Sequence, residues 1–107
     1  MKILFWNCQG IGNPLTVKVL RHFITTNKPL LIGLAEPIMK FDNWKAFKWS
    51  SLGYSFVANN QFEGAMESLW VLKQESVIIN SCSNDLKSVT ISFRLNDIVL
   101  CKLFLCF

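Results

Sequence analysis

The feature that most constrains the fold is the order of three segments at the amino terminus. Residues 2–6 form a largely apolar run that ends before Asn7, and residues 30–35 form a second apolar run that ends before Glu36. Uninterrupted apolar runs of this length, without helical spacing, indicate buried strands. The segment between them has the pattern of a helix, and a strand, a helix and a strand in so short a span predict a right-handed crossover with parallel pairing.

The predicted helix covers residues 15–26. Asn13 is a good amino-terminal cap and Pro14 suits the first turn. One side of the helix is apolar and the other carries Lys18, Arg21 and His22, which is the pattern of a helix packed on one face. The sequence Asn-Lys-Pro at residues 27–29 ends it.

The second half of the chain has strand patterns. Tyr54, Phe56 and Ala58 alternate with more polar neighbours, as in a half-exposed strand. Further strands are predicted at residues 69–72, 77–80, 88–95 and 98–105, with turns at residues 84–85 and 96–97. A short second helix is predicted at residues 41–50. The fold class is therefore α/β (α+β), with a parallel β-α-β start followed by antiparallel hairpins.

Composition sets limits on the class of protein. The 107 residues make one small domain or part of a larger one, and 51% of them are apolar, which excludes disorder. The net charge of +4 permits a polyanionic partner, although ordinary surface charge explains it as well. The four Trp could stack on bases, but each lies in an apolar pattern, which favours packing in or near a core.

The cysteines and the termini indicate an intracellular protein. Cys8, Cys82, Cys101 and Cys106 form no C-x-x-C pair, and His22 completes no zinc set with them. Four reduced thiols are expected. The amino terminus lacks the pattern of a signal peptide, and the apolar residues 98–107 are too few to span a membrane, which takes about 20.

Two polar residues lie at positions where α/β proteins bind ligands. Asn7 and Glu36 end neighbouring parallel strands, so both are expected at the carboxyl edge of the sheet, where ligands of open α/β sheets bind. A carboxylate and an amide oxygen suit a hard cation such as Mg²⁺, which keeps several of its waters. The alternative is that Asn7 starts a turn and Glu36 is a solvated acid before Pro37.

Two other candidates are weaker. The loop Gly10-Ile-Gly12, with Glu36 after the next strand, is similar to a dinucleotide-binding fingerprint, but Leu15 occupies the place of the third glycine. His22 has the chemistry of a general base. It lies on the polar side of the predicted helix and is expected to be a surface residue.

The opening MKILFWNCQGIGNPLTVKVLRHFITTNKPLLIGLAEPIM resembles that of the endonuclease domain of plant non-LTR (LINE-type) retrotransposons, within the endonuclease/exonuclease/phosphatase (DNase I-like) superfamily. Residues 68–72 (SLWVL) resemble a later strand of the family. The resemblance implies two packed β-sheets with helices outside and Mg²⁺-dependent cleavage of phosphodiester bonds in a nucleic acid. It implies that Asn7 is the active-site asparagine and a metal ligand, and that Glu36 is the metal-binding glutamate.

The sequence also departs from the family. The catalytic tyrosine, the Asp-x-Asn pair and the carboxy-terminal Asp-His pair have no counterpart, because Tyr54, Asp85 and Asp97 lie in other contexts. Residues 65–68 replace glycines that relatives have before the tryptophan strand. We therefore expect residues 1–107 to be a partial domain, truncated at the carboxyl end: the amino-terminal half of an α/β/β/α sandwich, inactive as it stands.

One further expectation follows from the partial domain, and one alternative interpretation stands beside it. The missing half would supply the second sheet, so one apolar face of the first sheet would lack cover and self-association is expected. The alternative is a small non-catalytic α/β interaction domain that retains the scaffold.

Overall fold

The computed structural model describes residues 2–39, 41, 49–59, 68–84, 88–95 and 99–106. Within them the fold is mixed α/β, with two sheets and one α-helix. The elements, in chain order, are β1 (Ile3–Asn7), α1 (Pro14–Asn27), β2 (Leu31–Ala35), a 3-10 turn (Trp49–Leu52), β3 (Tyr54–Asn59), β4 (Leu69–Gln74), β5 (Val77–Asn84), β6 (Ser88–Leu95) and β7 (Val99–Cys106).

The first sheet has the strand order β1-β2-β4-β3. Strands β1 and β2 are parallel, with Ile3 opposite Leu31 and Asn7 opposite Ala35. This pairing confirms the β-α-β interpretation of the first 36 residues. Strand β4 runs antiparallel to both β2 and β3, so it lies inside the sheet and completes it.

Helix α1 begins as the sequence predicts. The Asn13 side chain accepts a hydrogen bond from the Leu15 N–H at 2.9 Å, and Pro14 occupies the first turn. The helix ends at Lys28, whose left-handed backbone (φ 47°) lets its N–H donate to the Ile24 carbonyl at 2.9 Å. This is the usual way in which a helix satisfies its last carbonyl groups, although glycine is the commoner residue at such a position.

The second sheet is an antiparallel meander of β5, β6 and β7. Strand β7 pairs with β6 along its whole length, from Val99 opposite Leu95 to Cys106 opposite Ser88. The antiparallel pairing predicted for these two runs is therefore confirmed. Residues 85 and 96–97 of the predicted turns lie outside the described residues, and Asn84 belongs to β5, which is longer than predicted.

A buried cluster joins helix α1 to one face of the first sheet. It contains Leu20 and Ile24 from the helix, with Ile32, Leu34, Trp70 and Leu72 from the sheet. Trp6 packs against this cluster and against Phe23, with ring centroids 5.7 Å apart and nearly perpendicular planes. The apolar side of the predicted helix therefore faces the sheet.

A second buried cluster contains side chains of both sheets. The first sheet contributes Leu31, Ala35, Leu69 and Val71, and the second contributes Val77, Val89, Ile91 and Phe93. The expectation that a missing half of the domain would supply the second sheet is therefore wrong, because β5–β7 supply it here. Val89, Ile91 and Phe93 occupy alternate positions along β6 because their side chains are buried in this cluster between the sheets.

A β-bulge interrupts the alternation that the sequence predicts for β3. The register shifts between Phe56 and Ala58, so one extra residue, Val57, lies on this strand. Tyr54 belongs to the helix-side cluster, whereas Val57 and Ala58 pack against the cluster between the sheets. A bulge moves the following side chains to the opposite face, and strict alternation across residues 54–59 was therefore wrong.

Most of the predicted second helix at residues 41–50 lies outside the described residues, and the 3-10 turn begins at Trp49. The described part of the chain contains no helix that is both long and apolar enough to cross a membrane.

Candidate metal centre

The β1-α1-β2 unit brings Asn7 and Glu36 to one edge of the first sheet. Asn7 is the last residue of β1 and lies opposite Ala35 in the parallel register. Glu36 follows Ala35 directly, and both polar side chains are exposed. The predicted placement at the carboxyl edge therefore agrees with the register of the two strands.

The segments that follow β1 and β2 continue to pair beyond the strands. Cys8 N–H donates to the Ala35 carbonyl at 3.0 Å, Gly10 N–H donates to the Glu36 carbonyl at 2.8 Å, and Ile11 N–H donates to the Pro37 carbonyl at 3.0 Å. The Ile11 side chain is fully buried in the helix-side cluster. The edge of the sheet is thus closed by two loops that are bonded to each other and anchored in the core.

Glu36 has an unusual backbone conformation for a non-glycine residue. Its φ of 54° lies in the left-handed region, which costs on the order of 1–3 kcal/mol and persists only where the surroundings hold it. Its N–H donates to the Ser68 carbonyl at 2.8 Å. Hydrogen bonds on both sides of this residue therefore fix its backbone, while its carboxylate remains exposed to solvent.

Asn7 has one defined partner at this edge. Its Oδ1 accepts a hydrogen bond from the Gln9 N–H at 3.3 Å, which is the turn-forming role considered as the alternative for this residue. An amide oxygen has two lone pairs. The bond from Gln9 therefore orients the amide and leaves one lone pair for a cation or its water.

Sequence reasoning missed Cys8 as part of this edge. The side chain is buried beneath the two loops, and its Sγ donates to the Ala35 carbonyl at 3.3 Å and lies 3.7 Å from the Glu36 carbonyl. Burial raises the pKa of the Cys8 thiol; hydrogen bonds from the Gly10 and Cys8 backbone act in the opposite direction, and the charge of Glu36 adds a smaller increase. The sequence signal for this role was the position of Cys8 directly after Asn7, in the loop that contains Gly10.

The donor set limits the chemistry of this edge. One carboxylate and one amide oxygen fit a Mg²⁺ ion that keeps most of its waters. They do not fit zinc, which is held by three or four nitrogen, sulfur or oxygen ligands of the protein. No group of three or more His, Cys, Asp or Glu that could hold a metal ion occurs within the described ranges.

The other candidates have structural roles. His22 is exposed on α1, with its ring centroid 6.4 Å from that of Phe23, as expected for a surface residue. Trp49 and Trp70 are buried, and Trp6 is partly buried against the helix-side cluster. The packing interpretation is confirmed for these three, whereas Trp44 lies outside the described residues.

The comparisons with known proteins add no family. No protein-family model matches the chain, and a search of curated proteins finds no match.

Proposed function

We propose that this chain is the amino-terminal part of a Mg²⁺-dependent phosphodiesterase or DNA endonuclease domain of LINE-type retrotransposon origin, with a nucleic acid as its partner. The proposal rests on the resemblance of the opening 39 residues and of residues 68–72. The observation that carries it is the parallel register of β1 and β2, in which Asn7 lies opposite Ala35, the residue before Glu36, so that both strands end at the same edge of the sheet.

The arrangement of the two sheets supports the same proposal. The first, mixed sheet has a helix on one face, and a second, antiparallel sheet contributes to the buried cluster on its other face. In this proposal the helix and the two sheets would be three of the four layers of an α/β/β/α sandwich. The strand Leu69–Gln74, which resembles the tryptophan strand of the family, lies inside the first sheet beside β2. Its amino end is therefore next to Glu36, whose N–H bonds to Ser68.

In this proposal the residues of the edge hold a cation and do not activate water. Mg²⁺, when bound, would neutralise charge on a scissile phosphate. Glu36 would bind the cation through its carboxylate, and the Asn7 amide would orient the cation or one of its waters. No residue of the chain matches the base and phosphate-orienting motifs of the family. Loss of a general base costs about 10²–10⁴ in rate, so we propose that the chain is inactive by itself.

The cation site is tested with Mn²⁺ as a paramagnetic substitute for Mg²⁺. We expect the free Mn²⁺ signal in electron paramagnetic resonance to fall on addition of the chain, with a dissociation constant of about a millimolar. Glu36→Ala should abolish this binding. Glu75→Ala is the matched control, because Glu75 is also exposed but lies in the turn between β4 and β5. Equal binding by the wild-type chain and Glu36→Ala would refute the site.

The activity is tested by plasmid nicking in the presence of Mg²⁺. We expect the wild-type chain to nick supercoiled DNA no faster than Glu36→Ala prepared in parallel. Faster nicking by the wild-type chain would show that a base or a phosphate-binding group is present after all. That result would retain the metal site and reject the proposed inactivity.

The alternative function is a small non-catalytic α/β interaction domain. Two observations favour it: Asn7 Oδ1 already bonds to Gln9, and the second sheet buries the inner face of the first. In that case Mn²⁺ would not bind at Glu36 and the chain would be a monodisperse monomer with a cooperative unfolding transition. The Mn²⁺ titration therefore separates the two functions.

Self-association remains part of the proposal, and the exposed apolar side chains define where it would occur. Ile3 and Phe5 on the edge strand β1 are exposed on the face that the second sheet covers at β2. An apolar edge strand of this kind favours association with another chain.

A further inference from the structure

The loop after β1 contacts the backbone of Glu36 through a buried side chain. Cys8 donates twice toward the end of β2: its N–H to the Ala35 carbonyl at 3.0 Å and its thiol to the same carbonyl at 3.3 Å. The thiol also lies 3.7 Å from the Glu36 carbonyl, which accepts the Gly10 N–H at 2.8 Å. The thiol is therefore within hydrogen-bonding distance of the carbonyls of the two peptide units on either side of the Glu36 Cα.

The conformation of Glu36 requires such support. A left-handed φ of 54° at a glutamate is unfavourable in an unrestrained chain. Three groups hold it: the Ser68 carbonyl at the start of β4, and the Gly10 N–H and the Cys8 thiol in the loop after β1. The first two are backbone groups that any residue supplies. The thiol belongs to a side chain, so substitution of Cys8 removes its hydrogen bond and leaves the two backbone hydrogen bonds in place.

Burial gives the thiol a fixed position. Cys8 is only 6% exposed and belongs to the same cluster as Ile11, Leu34 and Trp70. The side chain is therefore attached to the core of the first sheet on one side and to the Glu36 backbone on the other.

We infer that Cys8 is a positioning residue for the cation site: its buried thiol holds the backbone of Glu36 in the left-handed conformation that presents the carboxylate at the sheet edge. The inference rests on the proposed function, because it assigns the role of Cys8 to the same site. The thiol does not contact the cation.

The first measurement requires no metal. Amide hydrogen exchange of the full chain, followed by NMR, should show faster exchange of the Gly10 and Glu36 amides in Cys8→Ala by about two- to tenfold, as expected for the loss of one weak hydrogen bond. The Val71 amide, in the central strand β4, should be unchanged. Cys8→Ser retains a donor at this position and should restore the slow exchange.

The second measurement is the Mn²⁺ titration of the same variants. Cys8→Ala should bind Mn²⁺ about two- to tenfold more weakly than the wild-type chain, and Cys8→Ser should bind within about twofold of it. Cys82→Ala is the matched control, because Cys82 is exposed on β5, in the other sheet. Its Mn²⁺ affinity and its Gly10 exchange should equal those of the wild-type chain.

The outcomes separate this inference from the proposed function. If the wild-type chain binds Mn²⁺ through Glu36 and Cys8→Ala binds equally well, only the role of Cys8 is refuted. If the wild-type chain does not bind Mn²⁺, the proposed cation site fails, and the role of Cys8 fails with it. If Cys8→Ala speeds exchange at Val71 as much as at Gly10, the thiol supports the whole fold, and the positioning role is refuted.

Discussion

We expect Phe93→Ala to destabilise the protein by about 3–5 kcal/mol, the usual cost of removing a buried phenylalanine ring. Phe93 is 2% exposed and lies in the cluster that contains side chains of both sheets. The loss is large against the total of about 5–15 kcal/mol that stabilises a small domain. The substitution therefore tests whether the second sheet packs on the first.

The matched control is Phe5→Ala. Phe5 also lies on a strand, but 43% of its side chain is exposed. Complete burial of a phenylalanine is worth about 1.5–3 kcal/mol, so the fraction that Phe5 buries is worth about 1–2 kcal/mol. The loss in Phe93→Ala should therefore exceed the loss in Phe5→Ala by about 1–4 kcal/mol of unfolding free energy.

The assay is urea titration followed by circular dichroism, with the slope of the transition compared between variants. Equal losses for Phe93→Ala and Phe5→Ala would refute a shared core between the sheets. A lower slope in Phe93→Ala would indicate that the variant exposes less surface on unfolding, as expected if the second sheet has already separated in the folded state.

Three further predictions concern other parts of the chain. Asn13→Ala should destabilise the protein by about 0.5–2 kcal/mol in urea titration, because it removes the helix cap; Asn13→Ser should recover most of this loss, and equal losses in both variants would contradict the capping role. Burial raises the pKa of Tyr54 above its ordinary value of about 10, and its hydroxyl donates to the Pro29 carbonyl at 2.6 Å, so Tyr54→Phe should cost about 1–3 kcal/mol at pH 8. Because the unfolded chain releases the phenol proton first, this contribution should shrink as the pH rises above 10, and a difference between wild type and Tyr54→Phe that stays constant up to about pH 11 would contradict the assignment. Phe5→Lys should lower any self-association measured by sedimentation velocity, whereas an unchanged sedimentation profile would show that β1 is not the associating edge.

The β-α-β unit was predictable because its determinants are local. The apolar runs before Asn7 and Glu36, the cap at Asn13 and the proline at residue 14 act over a few residues, and the structure has the elements within one or two positions of the predicted bounds. The parallel pairing followed from the connection length and the helix between the strands. The placement of both polar residues at one edge was a consequence of that pairing.

The partners of the later strands could not be predicted in the same way. Alternation with a period of two identifies a strand and its buried face, but any sheet with an apolar face satisfies it. The chain passes from the first sheet to the second through the two-residue turn Glu75–Ser76, and no local pattern marks this change of sheet. Insertion of β4 between β2 and β3 depends on contacts between residues distant in the chain.

The sequence by itself determined the elements, the amphipathic helix and the pair Asn7 and Glu36 as candidates. Tertiary structure alone decided the register shifts in β3 (between Phe56 and Ala58) and β5 (between Ile79 and Ser81), the shared cluster between the sheets and the left-handed backbone of Glu36. The physical reason is that these features depend on hydrogen bonds and packing between distant segments, such as the bonds of the Glu36 backbone to Gly10 and Ser68. Local propensity favours neither a bulge nor a positive φ at a glutamate, so only the folded chain imposes them.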